Sequence, residues 1–260
     1  MNEDTMYHIH LTKEQGAGYA LLTGDPGRVS QIAGHLDRPA FLAQNREYVT
    51  WEGSLHGARV LVISTGIGGP SAAIALEELH KIGVHTILRI GTCGGMQSEV
   101  LAGDLILASG AVRMDGTSRE YAPLSFPAVA DYAVLSALHD AAREAGYRAH
   151  TGVVQSKDSF YGQHSPASMP IGKALSDNWI ALIQSGVLAS EMECATLFTV
   201  AAVRRIRAGA VLLTVWNQEL ASAGLHNDTE FDTERAARLA VCALGRLMLA
   251  DRQKTPPEQP

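Results

Sequence analysis

Three arginines stand in segments that could handle an anion. Arg28 closes Gly24-Asp25-Pro26-Gly27-Arg28, and Arg89 ends an apolar run that leads into Gly91-Thr92-Cys93-Gly94-Gly95. Arg46 stands in Asn45-Arg46-Glu47-Tyr48. A glycine turn after a strand can aim backbone N–H groups at an anion. A planar guanidinium fork matches phosphate oxygens, where a lysine ammonium offers a point charge. Brought together, the three arginines would bind a free oxyanion such as phosphate. Taken singly the segments are ordinary: Asp-Pro-Gly is common turn chemistry, and Arg46 has Glu47 beside it as a surface partner.

Other chemistries are excluded by spacing. Gly66-Ile67-Gly68-Gly69 follows an apolar run, but it lacks the spacing and the downstream acid of a dinucleotide fingerprint. No Gly-Lys-Ser/Thr follows, so it is not a P-loop. His8 and His10 lack partners at helical spacing, and no His/Cys cluster suggests a transition metal. Glu191-Met192-Glu193-Cys194-Ala195-Thr196 falls at a predicted helix start, where carboxylates are favoured by the helix dipole. Side chains at i and i+2 do not share a helix face, so the two glutamates have different roles.

These segments need elements to position them. Val60 to Thr65 is a β-rich run broken by the glycines that follow. Ala72, Ala75, Leu76, Leu79 and Ile82 then recur at helical spacing, with Glu77, Glu78 and Lys81 on the other side, and Gly83 ends the helix. Thr86 to Ile90 is the next strand, followed by a second glycine turn, and Leu105 to Ala108 is a third strand. Helices are expected over 130–145, 191–205 and 233–249, with a strand at 210–215. Buried strands alternating with helices imply an α/β fold.

The chain has 260 residues, enough for one large α/β domain or two small ones, and without a linker or repeat one domain is the reading. It is taken to span 1–250, with 251–260, which carries three prolines, as an unstructured tail. The formal net charge of −6 and the lack of a basic block argue against a nucleic-acid surface. The arginines therefore mark a local pocket. Cys93, Cys194 and Cys242 are far apart, as in a reducing compartment. The acidic start Met1-Asn2-Glu3-Asp4-Thr5 does not read as a signal peptide, and no apolar run is long enough for a membrane span. A cytoplasmic location is expected.

Taken in order, Gly-Asp-Pro-x-Arg, Arg-Glu-Tyr-x-Thr-Trp, Ser-Thr-Gly-Ile-Gly-Gly-Pro-Ser, Leu-Arg-Ile-Gly-Thr and Glu-Met-Glu-x-Ala-Thr resemble the nucleoside phosphorylase superfamily, most closely its uridine-cleaving branch. The resemblance runs from His8 to Leu249. It implies a single three-layer domain with a central mixed, distorted β-sheet flanked by helices, assembled as a homohexamer, a trimer of dimers. It implies reversible phosphorolysis of uridine to uracil and ribose 1-phosphate, a pentosyl transfer in pyrimidine salvage. No cofactor would be required, and inorganic phosphate would be the co-substrate. Phosphate would be held by Gly24, Arg28, Arg89 and Thr92, with Arg46 donated across a dimer interface. Glu193 would bind the ribose hydroxyls, Met192 would pack on the sugar, and His8 would reach the ligand of a neighbouring subunit. Glu47, Ile67 and Ser71 match positions that hold a monovalent cation such as K+ at the dimer interface.

By the same resemblance, 156–166 reads the base. Phe160 would stack on a pyrimidine, and Gln163 would pair with its amide edge through one donor and one acceptor. The loop departs from the best-known pattern: it is shorter by one residue and has Ser165 where an arginine would donate to the base carbonyl. Lys157 and His164 are the candidates to replace that donor, as in a second bacterial form with Lys and Gln-His at these places. Purine-cleaving relatives carry an aspartate where this chain has Asn217, and an amide cannot act as a general acid. Cleavage of deoxyuridine, thymidine or a purine nucleoside, hydrolysis by water on the same fold, and nucleoside binding without turnover stay open as alternatives.

Overall fold

A computed structural model of the chain describes residues 5–254. In chain order the main elements are strand β1 (Tyr19–Thr23), helix α1 (Val29–Ala33), and strands β2 (Asp37–Asn45), β3 (Tyr48–Leu55) and β4 (Ala58–Ser64). Helix α2 (Gly69–Lys81), strands β5 (Thr86–Gly95) and β6 (Leu105–Met114), helix α3 (Thr117–Tyr121) and strand β7 (Ala128–Val129) follow. Next come α4 (Tyr132–Glu144), β8 (Ala149–Lys157), α5 (Phe160–His164), α6 (Gly172–Gln184) and β9 (Ala189–Glu191). The chain continues with α7 (Cys194–Arg204), β10 (Arg207–Asn217), α8 (Gln218–Ser222) and α9 (Glu234–Lys254).

The strands form one mixed sheet with helices on both faces. β1, β4, β5 and β10 run parallel, with Leu22 beside Ile63 and Arg89, and Arg89 beside Ala210. The β2–β3 hairpin extends the sheet antiparallel from β4. Beyond β5 the pairings close on themselves: β5 pairs β10, then β6, β8 and β9 follow in turn, and β9 returns to β5. Alternation along the strands feeds two cores. Leu22, Leu61, Ile63, Ile87 and Leu212 join Leu76 and Leu79 of α2 and Phe198 of α7. Leu21, Val62, Leu88, Ile90 and Val211 join Leu138 of α4 and Leu244 of α9 on the opposite face. Strands buried on both faces explain the near-continuous apolar runs in the sequence. The three-layer α/β expectation holds. Among the described residues no helix is long and apolar enough to cross a membrane.

Four local expectations change. The glycines after Arg89 do not turn the chain: β5 continues to Gly95, because Gly94 and Gly95 pair with Ser190 and Ala189 on one side and with Trp216 and Asn217 on the other. Glu191 ends a strand, and α7 starts only at Cys194. The last helix runs through Asp251 to Lys254, into the segment expected to be an unstructured tail. Tyr19 Oη donates to Asp251 Oδ2 at 2.8 Å, which ties that turn down; 255–260 lies outside the described residues. Glu78, expected on the solvent side of α2, is buried. It accepts the backbone N–H of His8 at 3.0 Å and of Ile9 at 2.9 Å, and engages His8 Nδ1 at 2.8 Å.

Removing an acceptor shared by buried N–H groups leaves them unsatisfied. Glu78→Ala is expected to lose about 1–3 kcal/mol of stability, with faster amide exchange at Ile9. Scanning calorimetry and hydrogen exchange check this; unchanged exchange would show that the N-terminal segment is held by other contacts.

Candidate active site

The parallel strands β1, β4, β5 and β10 deliver their carboxyl ends to one region, where open α/β sheets place ligands. The edge of β5 changes partner there. β1 pairs it as far as Ile90, and β9 takes over at Gly94. Gly91, Thr92 and Cys93 lie between these pairings, at the wall of a cavity of about 1060 Å³.

At one end of the cavity stand Gly24, Arg28, Arg89 and Thr92, the four anion-binding candidates that one chain would supply. The turn after β1 is shaped by Asp25, whose Oδ1 accepts the N–H of Gly27 at 2.8 Å. It leaves Arg28 half-buried, with Nε 3.8 Å from Asp25 Oδ2. Arg89 is only 5% exposed. Its Nη2 donates to Glu193 Oε2, and its Nε lies 4.0 Å from Glu191 Oε2. That Nε has no hydrogen-bond partner among the described residues, so the guanidinium retains donor capacity at the cavity wall. Burial works against the charge on Arg89, but Glu193 and Glu191 outweigh it and hold the guanidinium protonated.

The two glutamates make different contacts, and neither lies within α7. Glu191 accepts the N–H of Glu193 at 2.8 Å and of Cys194 at 3.0 Å, and also the Ser156 hydroxyl. It therefore satisfies donors at the start of α7. Burial and then the neighbouring Glu193 carboxylate raise its pKa, against Arg89. Glu193 turns back into the cavity, where Oε1 accepts the Gly68 N–H at 2.6 Å. Gly68 caps α2 with φ +93°, a left-handed conformation that favours glycine, and so presents its N–H to the acid. Met192 lines the cavity beside Glu193.

The other end is aromatic and amide-rich. Phe160, at the start of α5, is half exposed, and the His164 ring sits 4.3 Å from it and 5.7 Å from Trp216. Gln163 lines the cavity and donates from Nε2 to Gln218 Oε1 at 2.7 Å. Lys157 does not point to solvent: it is 8% exposed, and its Nζ donates to Ser190 Oγ at 2.8 Å. Burial pushes its pKa down to about 8, with Glu191 and Glu193 opposing the fall. Burial and then Lys157 also lower the pKa of His164, which favours the neutral ring. Cys93 is pushed up to about 12 by burial, which leaves a thiol in the wall and no nucleophile.

Two candidates do not reach this cavity. Arg46 is exposed at the tip of the β2–β3 hairpin, with φ +52°. His8 lies on Glu78. They belong to one patch: Asn45, next to Arg46, donates to the His8 carbonyl at 2.8 Å, and the Tyr48 ring is 6.3 Å from the His8 ring. Glu47, Ile67 and Ser71 occupy the cavity rim, with Ser71 Oγ 3.3 Å from the Ile67 carbonyl. Carbonyl, hydroxyl and carboxylate oxygens there suit a hard monovalent ion. Among the described residues no group of three or more His, Cys, Asp or Glu side chains could hold a metal ion.

Asn217 does not face the base end. Its Nδ2 donates to the carbonyls of Gln97 and Val100 at 2.7 and 2.8 Å. Its Oδ1 accepts from Glu219 and Leu220 and caps α8. Val215 and Trp216, just before Asn217, line the cavity instead, where the register of β10 against β5 shifts between Thr214 and Trp216. Trp216, Ser190 and Gln218 had no sequence signal beyond their strand neighbours.

A profile of the Phosphorylase superfamily matches residues 19–249. Uridine phosphorylase of Treponema pallidum is 50% identical over 248 residues, covering 95% of this chain and 96% of that protein. Uridine phosphorylase of Escherichia coli is 42% identical over 259 residues, 95% of this chain and 100% of that one. Guanosine phosphorylase of Halorubrum lacusprofundi is 39% identical over 247 residues, 92% and 98%.

Because Asn217 is structural, an acid there cannot be neutral in effect. Asn217→Asp would set a carboxylate against two carbonyls that now receive N–H donors. It is expected to cost about 2–5 kcal/mol and to lower the melting temperature by at least about 5 °C. Calorimetry checks this, and an unshifted transition would refute the role of Asn217 Nδ2 as donor to the two carbonyls.

Proposed function

Since the chain belongs to the phosphorylase superfamily, we propose that it catalyses the reversible phosphorolysis of uridine to uracil and ribose 1-phosphate. The observation that carries the reading is a single cavity lined by an anion end (Arg28, Arg89, Thr92), an acid for sugar hydroxyls (Glu193) and an aromatic, amide-bearing end (Phe160, Gln163). A hydrolytic enzyme would have no use for the anion end.

Phosphate is already an anion and needs no general base. Arg28, Arg89, Thr92 and the Gly24 turn hold it beneath C1′ and offset the repulsion among its oxygens. A carboxylate has about four acceptor sites. Glu193 spends one on Gly68 and one on Arg89, which leaves acceptor capacity for the ribose hydroxyls. Met192 packs on the sugar. The C1′–N1 bond breaks through an oxocarbenium-like state, as in other glycosyl transfers. Charge then grows on the uracil, where donors of the base loop stabilise it. Lys157 is the charged donor among them. Phe160 stacks on the ring, and neutral His164 packs beside it.

Arg46 and His8 enter the site of a second copy. Their common patch, exposed at Arg46 and outside their own cavity, supports this. A two-fold pair would exchange both residues at once, and a hexamer is three such pairs. Glu47, Ile67 and Ser71 would hold a monovalent cation on the same rim. No cofactor takes part in the step. The separated cysteines fit a cytoplasmic enzyme.

A panel of uridine, deoxyuridine, thymidine, cytidine and inosine, each with and without phosphate, tests the reading. Uridine cleavage that requires phosphate is expected; base release without phosphate would favour a nucleosidase, and faster inosine turnover a purine enzyme. Arg89→Ala is expected to lower kcat/KM by at least about 10²-fold, and an unchanged rate would refute its role. Lys157 is protonated below about pH 8 and neutral above it. The profile of kcat/KM should therefore fall as pH rises through about 8, and Lys157→Met should be slower and lack that limb.

A further inference from the structure

A glutamine that reads a pyrimidine has an ambiguity built into it. Its oxygen and NH₂ are nearly the same shape, and a half-turn about the last torsion exchanges them. In one orientation the edge complements uracil, which offers a ring N–H donor beside a carbonyl. In the other it complements cytosine, which offers a ring acceptor beside an amine. Gln163 cannot prefer uracil unless something fixes its direction.

The surroundings of Gln163 contain such a device. Lys157 Nζ donates to Ser190 Oγ at 2.8 Å. An ammonium has three donors and no acceptor, so Ser190 must accept there. Its one hydroxyl hydrogen is left for an acceptor, and two amide oxygens are in reach: Gln163 Oε1 at 2.7 Å and Gln155 Oε1 at 2.9 Å. On its other side Gln163 Nε2 donates to Gln218 Oε1 at 2.7 Å. Gln218 is itself an amide and could turn with its partner; at the other end Lys157 takes one Ser190 lone pair, and the direction is set where the hydroxyl hydrogen goes to Gln163 Oε1, the nearer of the two amide oxygens. Lys157 and Ser190 are 8% and 3% exposed, so each depends largely on protein partners for its hydrogen bonds.

We infer that Ser190 is a positioning residue that, oriented by Lys157, locks the Gln163 amide with its oxygen toward Ser190 and its nitrogen toward Gln218, and so selects uracil over cytosine. An amide can accept twice and donate twice. Ser190 and Gln218 each use one site, which leaves one donor and one acceptor for the base, and the lock holds them in a single order. This inference rests on the assignment of Gln163 to the base.

The test is the dissociation constants of uracil and cytosine, measured by calorimetry with phosphate present, for wild type, Ser190→Ala, Ser190→Thr and Lys157→Met. Ser190→Ala is expected to reduce the preference for uracil by at least about tenfold. Ser190→Thr, which keeps the hydroxyl, should stay within about threefold of wild type. Lys157→Met, which keeps Ser190 and removes the fixed donor, should also lose preference. A preference that Ser190→Ala and Lys157→Met leave unchanged, or an equal weakening of both bases, would overturn the inference. If Ser190→Ala does not fold, Ser190→Val, which matches Ser190→Thr in shape and lacks the hydroxyl, decides. Uridine phosphorolysis by the wild type, run alongside, keeps the two readings apart: its absence would sink the proposed activity, whereas a flat base ratio in an active enzyme sinks only the role of Ser190.

Discussion

The site depends on three charges with almost no access to water. Arg89, Glu191 and Glu193 are each 5% exposed or less. Removing one partner from such a group leaves a buried charge uncompensated, at several kcal/mol. The structure answers with fixed donors. Glu191 takes N–H groups at the start of α7 and the Ser156 hydroxyl on β8, and Glu193 takes the N–H of Gly68 at the start of α2. Two helix starts and two strands are thereby pinned to Arg89 on β5. The placement of Arg89 against Glu193 is set by the need to satisfy buried charge.

The sheet makes room for this cluster by exchanging the partner of β5. Glycines at 91 and 95 let β10 approach closely; a Cβ on Gly91 would come within 2.9 Å of Leu212 Cδ2, and one on Gly95 within 2.9 Å of Asn217 Nδ2. Where β1 has left and β9 has not begun, Thr92 has space beside it on the cavity side. The closed circuit of strands thus ends in a crevice at one edge of β5. The turn after β1, with Arg28, and the turn after β4, with Gly68, border it because both strands run parallel to β5.

Much of this was legible in the sequence, and what was missed has a common cause. Arg28, Arg89 and the glycines around them are recognisable because charged side chains and turn residues interrupt apolar runs. Glu78 was misassigned because helical spacing equates polar with exposed, whereas this acid is buried to accept N–H groups from a segment about 70 residues away in the chain. Asn217 matches the position of a base-reading acid, but its amide is taken by the Gln97 and Val100 carbonyls at the end of a strand whose register shifts, which residue spacing does not show. The β2–β3 hairpin is hidden because its turn has left-handed backbone at Arg46, where such turns favour glycine or asparagine. Ser190 stands in a three-residue strand. Nothing in the spacing marks so short an element, and a lone serine carries no chemical signature.

The acids that hold Arg89 also act on the base end. Burial alone would take more of the charge from Lys157, and Glu191 and then Glu193 restore part of it, leaving the ammonium near its transition in the neutral range. Lys157 in turn helps keep His164 neutral and fixes the donor direction at Ser190. A dianion arriving beside Arg89 would draw on the same guanidinium that now serves Glu193 and Glu191. Any loosening of those carboxylates would be felt at Lys157 as a change in the field that keeps it charged. Arg89, the two glutamates, Lys157 and His164 are therefore one electrostatic system, and a substitution at any of them should not be treated as confined to its own part of the cavity.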